Sequence, residues 1–462
     1  MASHIINLLQ RIKPWTNTGI HNVTVPLFPP SALNLANLPP ELLHYIISYL
    51  DRESVKQSRL TCRNLSYSAT ISLFRRIVLF PNDASCQNME RILESTAIKS
   101  VCHDHDTPAV AKAVLPTQVI TLIQRLKELP NLRDVALRFD ANISIPDDDD
   151  DDDVAEGVSA FWHPETVEFR LETLRLLFSS LLSLSRPLRG LAIQSMQNVC
   201  EQDDKEIAIM ALVLCKLQSL RLNIIQDIEY SDEDDLLLSD TSRTFYPELT
   251  TKWLKPTVGT LQNLCLWTNE VFGFYPKMLP MHFPHLKSLT LGKYCFVHDS
   301  QLDWILSHAA TLRELYLYSC VILYEVRICK NELHQCYLSE KEISDGEGVY
   351  SQYYAYTYPK RWSNYFDSFR NELVHLGHFR FGGNTIPTCE QPFEQDHEIK
   401  VDLYPSRYSV FDQATPQIYM PVLQDESMFS WPSVNTLDDA EALLGLLKRT
   451  GQDSQIQRKG II

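Results

Sequence analysis

Seven segments of this chain repeat one spacing of apolar residues, and that repetition limits the folds open to it more than any other feature. The pattern L-x-x-L-x-L occurs at Leu132/Val135/Leu137, Leu188/Leu191/Ile193, Leu217/Leu220/Leu222, Leu261/Leu264/Leu266, Leu286/Leu289/Leu291 and Leu312/Leu315/Leu317. A further variant, Leu376/Phe379/Phe381, uses aromatics. The last two apolar residues of each motif are two apart, so in a strand they share one face while the residues between them take the other. The first positions stand 56, 29, 44, 25, 26 and 64 residues apart. The shorter steps have room for one strand and one helix, and the longer ones read as the same unit bearing insertions.

Helical patterns fall between the motifs. Val119, Ile120, Ile123, Leu126 and Leu129 form one apolar stripe, Leu302, Ile305 and Leu306 a second, and Trp362, Tyr365, Phe366, Phe369 and Leu373 a third. Strand and helix alternating at a regular step predict an α/β fold, a solenoid with a parallel sheet on one side. Leucine-rich elements of an ordinary α/β domain would give a similar pattern, and periodicity leaves both open. In the solenoid the leucines enter the core, and the sheet is expected to expose Arg138, Arg221, Asn223, Trp267, Tyr316, Tyr318 and Arg380. Trp, Tyr and Arg are favoured at binding hot spots. Arg138, Asn223, Trp267, Tyr316, Tyr318 and Arg380 are therefore the expected contacts for a protein target, against the alternative of a face that is solvated or covered by the C-terminal tail.

Ahead of the repeats, Leu38-Pro39-Pro40-Glu41-Leu42-Leu43 opens a short helix whose apolar residues continue through Ile46, Ile47 and Leu50. A proline pair suits a helix start, and Glu41 meets the positive end of the helix dipole. Ser54 is expected to cap a second helix carrying Val55, Leu60 and Leu65. The stripe of the first helix is too wide for one modest contact. A segment of roughly 45 residues builds little core of its own, so the surplus asks for a partner or for the rest of the chain.

The order of residues, L-P-x-E-L-L-x-x-I-x-x-Y-L-D followed by Arg59-Leu60-Thr61-Cys62-Arg63 and the basic-apolar stretch Leu73-Phe74-Arg75-Arg76-Ile77-Val78-Leu79, resembles an F-box. One position departs from it: Leu65 stands near the place where the family often has a tryptophan. The resemblance implies docking on a Skp-type adaptor, and through it on a cullin, by Leu38, Pro39, Leu42, Leu43, Ile46 and Leu50. The whole layout is similar to F-box proteins of fungal type with leucine-rich repeats. That similarity implies a substrate-recognition subunit of a cullin-type (SCF) ubiquitin ligase, binding an unknown protein target through the repeats and catalysing nothing itself. The alternative is a leucine-rich scaffold in an adaptor complex not linked to ubiquitination. The expected division is an N-terminal extension over 1–34, the F-box over 35–80, the solenoid over 81–400 and a C-terminal capping segment and tail over 401–462.

Charge and motifs narrow the rest. The formal charge is −16, which argues against nucleic acid and anionic membrane as partners. Residues 147–153 are an unbroken aspartate run, expected as a solvated loop inserted between repeats, and 232–235 read the same way. No apolar run reaches the ~18 residues of a membrane span, and the N-terminus lacks a secretory pattern. Eleven scattered cysteines without a C-x-x-C pair predict reduced thiols in the cytoplasm and/or nucleus. Cys102-His103-Asp104-His105-Asp106 crowds potential ligands, but adjacent residues do not readily face one ion, so no metal is expected. There is no P-loop, dinucleotide fingerprint, G-x-S-x-G or H-E-x-x-H, so no cofactor is expected.

Overall fold

A computed structural model describes residues 43, 46–47, 49–50, 52–61, 65–66, 69, 76–79, 115, 117–139, 166–225, 229–230, 236–237, 240–278, 281–346, 351–383, 396, 399–413, 417–419 and 436–452. The segments 102–106, 147–153 and 232–235 lie outside them, as do Leu38, Pro39 and Leu42. The chain divides into two units, Met1–Leu73 and Phe74–Ile462.

In the first unit, Leu43, Ile46 and Ile47 are helical and precede helix α1, Arg52–Arg59. This helix starts two residues before Ser54, so Ser54 lies inside the helix, its carbonyl accepting from Ser58 Oγ at 2.8 Å. Leu43, Ile47, Val55, Leu65 and Ala69 form the unit's small core, with Leu50 packed against it.

The second unit rests on the repeated motifs. Its strands are β1 (Arg76–Leu79), β2 (Asp134–Arg138), β3 (Gly190–Gln197), β4 (Ser219–Ile225), β5 (Glu229–Tyr230), β6 (Leu236–Leu237), β7 (Asn263–Phe272), β8 (Ser288–Phe296), β9 (Glu314–Tyr318), β10 (Val321–Cys329), β11 (Ser344–Asp345), β12 (Tyr353–Thr357), β13 (His378–Gly382), β14 (Tyr408–Asp412) and β15 (Gln417–Tyr419). Its helices are α2 (Thr117–Gln124), α3 (Val167–Leu182), α4 (Asp204–Leu214), α5 (Asp240–Glu248), α6 (Asp299–Leu306), α7 (Trp362–Glu372) and α8 (Thr436–Arg449).

All seven motifs are strands, and they pair in parallel in chain order from β2 through β3, β4, β7, β8 and β9 to β13, with β1 beside β2. Register follows the leucines. Val135, Leu191, Leu220, Leu264, Leu289, Leu315 and Phe379 stand side by side, and so do Leu137, Ile193, Leu222, Leu266, Leu291, Leu317 and Phe381. Both rows are buried, and the interstrand helices close over them with Leu122, Leu177, Leu214, Leu249, Ile305 and Phe369 in the same core. A shift of one residue in any strand would turn its leucines to the opposite face, so the rows fix the register.

Each junction repeats one hydrogen-bond device. The carbonyl of Arg189 accepts from both Gln218 and Ser219 at 2.7 and 2.9 Å, that of Gln218 from Gln262 and Asn263 at 2.8 and 2.9 Å, and that of Lys287 from Arg313 and Glu314 at 2.7 and 3.0 Å. The carbonyls of Arg133, Gln262 and Arg313 do the same for the strands that follow them. Every one of these acceptors directly follows the first leucine of its motif, which ties the sequence repeat to the backbone repeat. The 44-residue step takes up its extra length in the hairpin β5–β6 and in α5, which runs on through a π-helical turn, Leu249–Leu254, and a 3₁₀ turn, Lys255–Thr257.

Beyond the ladder the sheet forks. The start of β8 pairs with β9, whereas Cys295 and Phe296 at its end pair with Val321 and Ile322 of β10. From β10 the sheet continues to β14 in parallel and, antiparallel, to β12, which carries Tyr353, Tyr354 and Tyr356. Phe274, Cys295, Leu323, Val326 and Phe411 fill a second core beneath this branch.

The outer strand of the ladder is protected. The backbone N–H and C=O of Phe379 bond the side-chain amide of Gln452 at 2.7 and 3.2 Å, and Asp402 N donates to Phe381 O at 2.9 Å. An open edge would offer these groups to another chain. Helix α8 lies along α7, anchored at its start by Asp439, which accepts from Arg407 Nε, Tyr408 OH and Ser363 N at 3.0 Å each. At its end Arg449 donates to Leu373 O at 2.9 Å.

Candidate functional site

Two surfaces are candidates for binding, one in each unit. In the N-terminal unit the apolar stripe divides. Leu43 is only 2% exposed and faces Ile47, Val55 and Leu65, so it belongs to the module's own core. A unit this small must commit its inward residues to itself, and Leu43 is one of them. Ile46 and Leu50 remain half-buried on the flank. Leu60, on the turn after α1, is 77% exposed, and Tyr49 is 66% exposed. An isolated exposed leucine needs no explanation. Among the described residues it lies outside the cluster of Leu43, Ile47, Val55, Leu65 and Ala69.

In the larger unit the outer sheet face differs from expectation. Trp267 is 0% exposed, and Tyr316 and Tyr318 are buried too, in one cluster with Ala136, Ala192, Cys265 and Ile399. The assignment of Trp267, Tyr316 and Tyr318 as exposed target contacts is therefore corrected. The physical reason is a cover: residues of the chain that follow β13 cross this face. Asp396 forms a bidentate ion pair with Arg221, Nη1 to Oδ2 at 2.7 Å and Nη2 to Oδ1 at 2.8 Å, and Ile399 enters the aromatic cluster. The cover passes so close to Gly382 that a side chain there would collide with the carbonyl of Lys400.

The aromatics below this cover are arranged by a glycine. In the ladder Trp267, Gly292 and Tyr318 are successive neighbours. Strands one apart are ~4.8 Å away, so two strands apart the rings would start ~10 Å from each other. They stack at 4.6 Å between centroids and 14° between planes because the strand between them carries no side chain. A Cβ on Gly292 would stand 2.7 Å from the Trp267 ring. The indole Nε1 of Trp267 is buried without a hydrogen-bond partner.

The remaining candidates have local roles. Asn223 Oδ1 accepts from Ser195 N at 3.0 Å, where β3 bulges against β4 and Ser195 takes a φ of 56°. Arg170 Nη1 donates to Ser195 O at 2.7 Å, so the bulge is held on both sides. Arg138, Arg221 and Arg380 are half-buried. Burial lowers the Arg380 guanidinium below its usual range, and burial, then the charges of Glu314 and Asp396, raises Tyr316. Sequence reasoning missed Asp396 and Ile399. The only local hint was the pair Gly382-Gly383, which reads as a close backbone approach.

Burial pushes the thiols of Cys200, Cys265, Cys295 and Cys320 upward, to about 12 for Cys320, whereas a reactive cysteine needs the opposite shift. Among the described residues no group of His, Cys, Asp and Glu is placed to hold a metal ion, and no helix is long and apolar enough to cross a membrane.

Comparison with known families gives one result. Residues 35–79 match the F-box-like family, so the chain carries an F-box-like domain at its N-terminal end. F-box domains in general bind Skp-type adaptors. The match ends on β1, the first strand of the parallel ladder. No curated protein matches the chain.

Proposed function

We propose that the protein is the substrate-recognition subunit of a cullin-type (SCF) ubiquitin ligase. The observation that carries this reading is the F-box-like domain at residues 35–79, joined to a second unit large enough to hold a target. Leu38, Pro39, Leu42, Ile46 and Leu50 would supply the adaptor contact, with the exposed Leu60 extending it. Leu43 would support that surface from inside. The Phe74–Ile462 unit is read as an irregular leucine-rich-repeat solenoid, supported by seven motif strands pairing in chain order with leucine rows in register. A target held on this unit would be brought near the ubiquitin-carrying subunits. Catalysis would come from proximity, worth several orders of magnitude in effective concentration, with the chemistry supplied by its partners. Action in the cytoplasm and/or nucleus belongs to the same reading.

Affinity purification of the tagged chain with mass spectrometry tests it. The expected complex contains a Skp-type adaptor and a cullin, and deletion of residues 38–50 removes both. A co-purifying target should then rise in level when the deleted form replaces the intact one. Adaptor without cullin would overturn the ligase assignment and favour a scaffold.

A further inference from the structure

The edge where the ladder strands begin carries a row of polar side chains. Arg133, Arg189, Gln218, Gln262, Lys287 and Arg313 each follow the first leucine of their motif. The backbone joins each to the next. Arg189 N donates to Arg133 O and Gln218 N to Arg189 O at 2.7 Å, Gln262 N to Gln218 O at 2.8 Å. Lys287 N donates to Gln262 O and Arg313 N to Lys287 O, again at 2.7 Å. Strand-to-strand steps of ~4.8 Å make this row about 24 Å long. Arg189, Gln218, Lys287 and Arg313 are exposed, and Arg133 and Gln262 are half-buried.

Charge sets this edge apart from the rest of the chain, where 58 acidic residues outnumber 42 basic ones. The two positions flanking each of the seven first leucines hold five basic residues, the four of the row and Lys216, and no Asp or Glu. Asp134 and Glu314 stand one position further on, and Asp134 lies across Gly190. Arginines in other parts of this unit meet carboxylates, as Arg175 does Glu201, Arg327 does Asp412 and Arg407 does Asp439. Among the described residues Arg189, Lys216, Lys287 and Arg313 form no ion pair. Helix dipoles do not account for these charges. The interstrand helices end at this edge, but a dipole is felt only within the last turn. The last turns of α2, α3, α4 and α6 hold no basic residue. The bases sit at the strand starts instead.

We propose that this row is a docking strip for a short, extended, carboxylate-rich segment of a protein partner. The proposal deepens the receptor reading above, on which the identity of that partner as a ligase target rests. Three arginines and a lysine offer charge-assisted hydrogen bonds, and an arginine fork takes a carboxylate by two bonds at once. Gln218 and Gln262, in the middle of the row, carry amides that suit a peptide backbone. About seven extended residues cover the 24 Å. A nucleic acid would run past both ends of so short a strip, along a chain whose formal charge is −16. Charges are screened beyond ~8 Å at physiological salt, so a short acidic segment meets the strip and little of the remaining charge.

The test uses the full chain and fluorescein-labelled octaglutamate, read by anisotropy at low salt. Lys287→Glu combined with Arg313→Glu is expected to weaken binding at least about tenfold. Lys205→Glu combined with Lys341→Glu makes the same change in net charge on exposed lysines outside the row. That control is expected to shift the affinity by less than about twofold. Absence of binding by the unchanged chain, or equal losses in the two variants, overturns the proposal. So does a thymidine octanucleotide that binds as tightly as octaglutamate. Should the first variant fail to fold, Arg189→Glu combined with Lys216→Glu must give the same loss of about tenfold, and an unchanged affinity refutes the strip. Capture of adaptor and cullin by the unchanged chain reports on the receptor reading separately. Its failure beside octaglutamate binding sinks that reading and leaves the strip standing, and the reverse pattern does the opposite.

Discussion

Replacing Asp439 by alanine probes how the last helix closes the fold. Its carboxylate is 1% exposed, its partner Arg407 is 7% exposed, and Tyr408 OH and Ser363 N share the same two oxygens. Removing the carboxylate leaves a buried guanidinium without its counter-charge, which costs about 3–5 kcal/mol. That is more than the sum expected from exposed ion pairs, whose median is about 0–1 kcal/mol. It is less than the anchoring of α8 by Leu443, Leu446 and Leu447, each buried and each contributing about 1.5–3 kcal/mol. The helix is therefore expected to stay docked while the unit as a whole loses stability. Asp439→Leu combined with Arg407→Met removes both charges and should recover most of the loss, leaving about 1–2 kcal/mol for the unsatisfied Tyr408 and Ser363 groups. Urea unfolding followed by circular dichroism gives all three values from shifts in midpoint at constant slope. A single-variant loss below about 1 kcal/mol, or a double variant no more stable than the single, would refute the view that the pair is held by desolvation of its partner.

Further perturbations address other parts of the structure. Gly292→Val should push Trp267 off Tyr318, costing about 1–3 kcal/mol, with a red shift in tryptophan emission as the check. Burial, then the neighbouring charge of His282, holds His308 down at about 4 against 6.5 for an ordinary histidine, and the unfolded chain therefore takes up this proton first. Stability from this group is complete above pH ~6.5 and drains as pH falls toward 4, by about 2 kcal/mol at pH 5. His308→Gln should flatten that part of the urea-midpoint profile, and an unchanged slope would count against the assignment. Leu43→Ala should destabilise the N-terminal unit by about 2–5 kcal/mol. Leu60→Asp should leave its melting unchanged and weaken adaptor capture, and equal capture would remove Leu60 from the docking surface.

The ladder was legible because it is written in local periodicity. A motif such as Leu286/Leu289/Leu291 states that a strand exists, which residues face the core and, through repetition, which strand lies beside it. The forked branch was not, since β10 is apolar on nearly every residue and β14 is short and carries no repeat. Residues 35–79 were legible as a module for a different reason: their order, more than their periodicity, carries the resemblance, and the family comparison recovers the same span. The inward turn of Leu43 could not be read there, because a stripe wider than one contact does not say which of its residues the module keeps.

Sequence alone determined the leucine rows and the span of the F-box-like domain. Tertiary structure alone decided what covers the outer face. Alternation assigns Trp267, Tyr316 and Tyr318 to that face, but exposure depends on whatever else in the chain reaches it. Arg221 and Asp396 are 175 residues apart. No local pattern links two groups so distant, and only the path of the chain back across the sheet brings the carboxylate to the guanidinium.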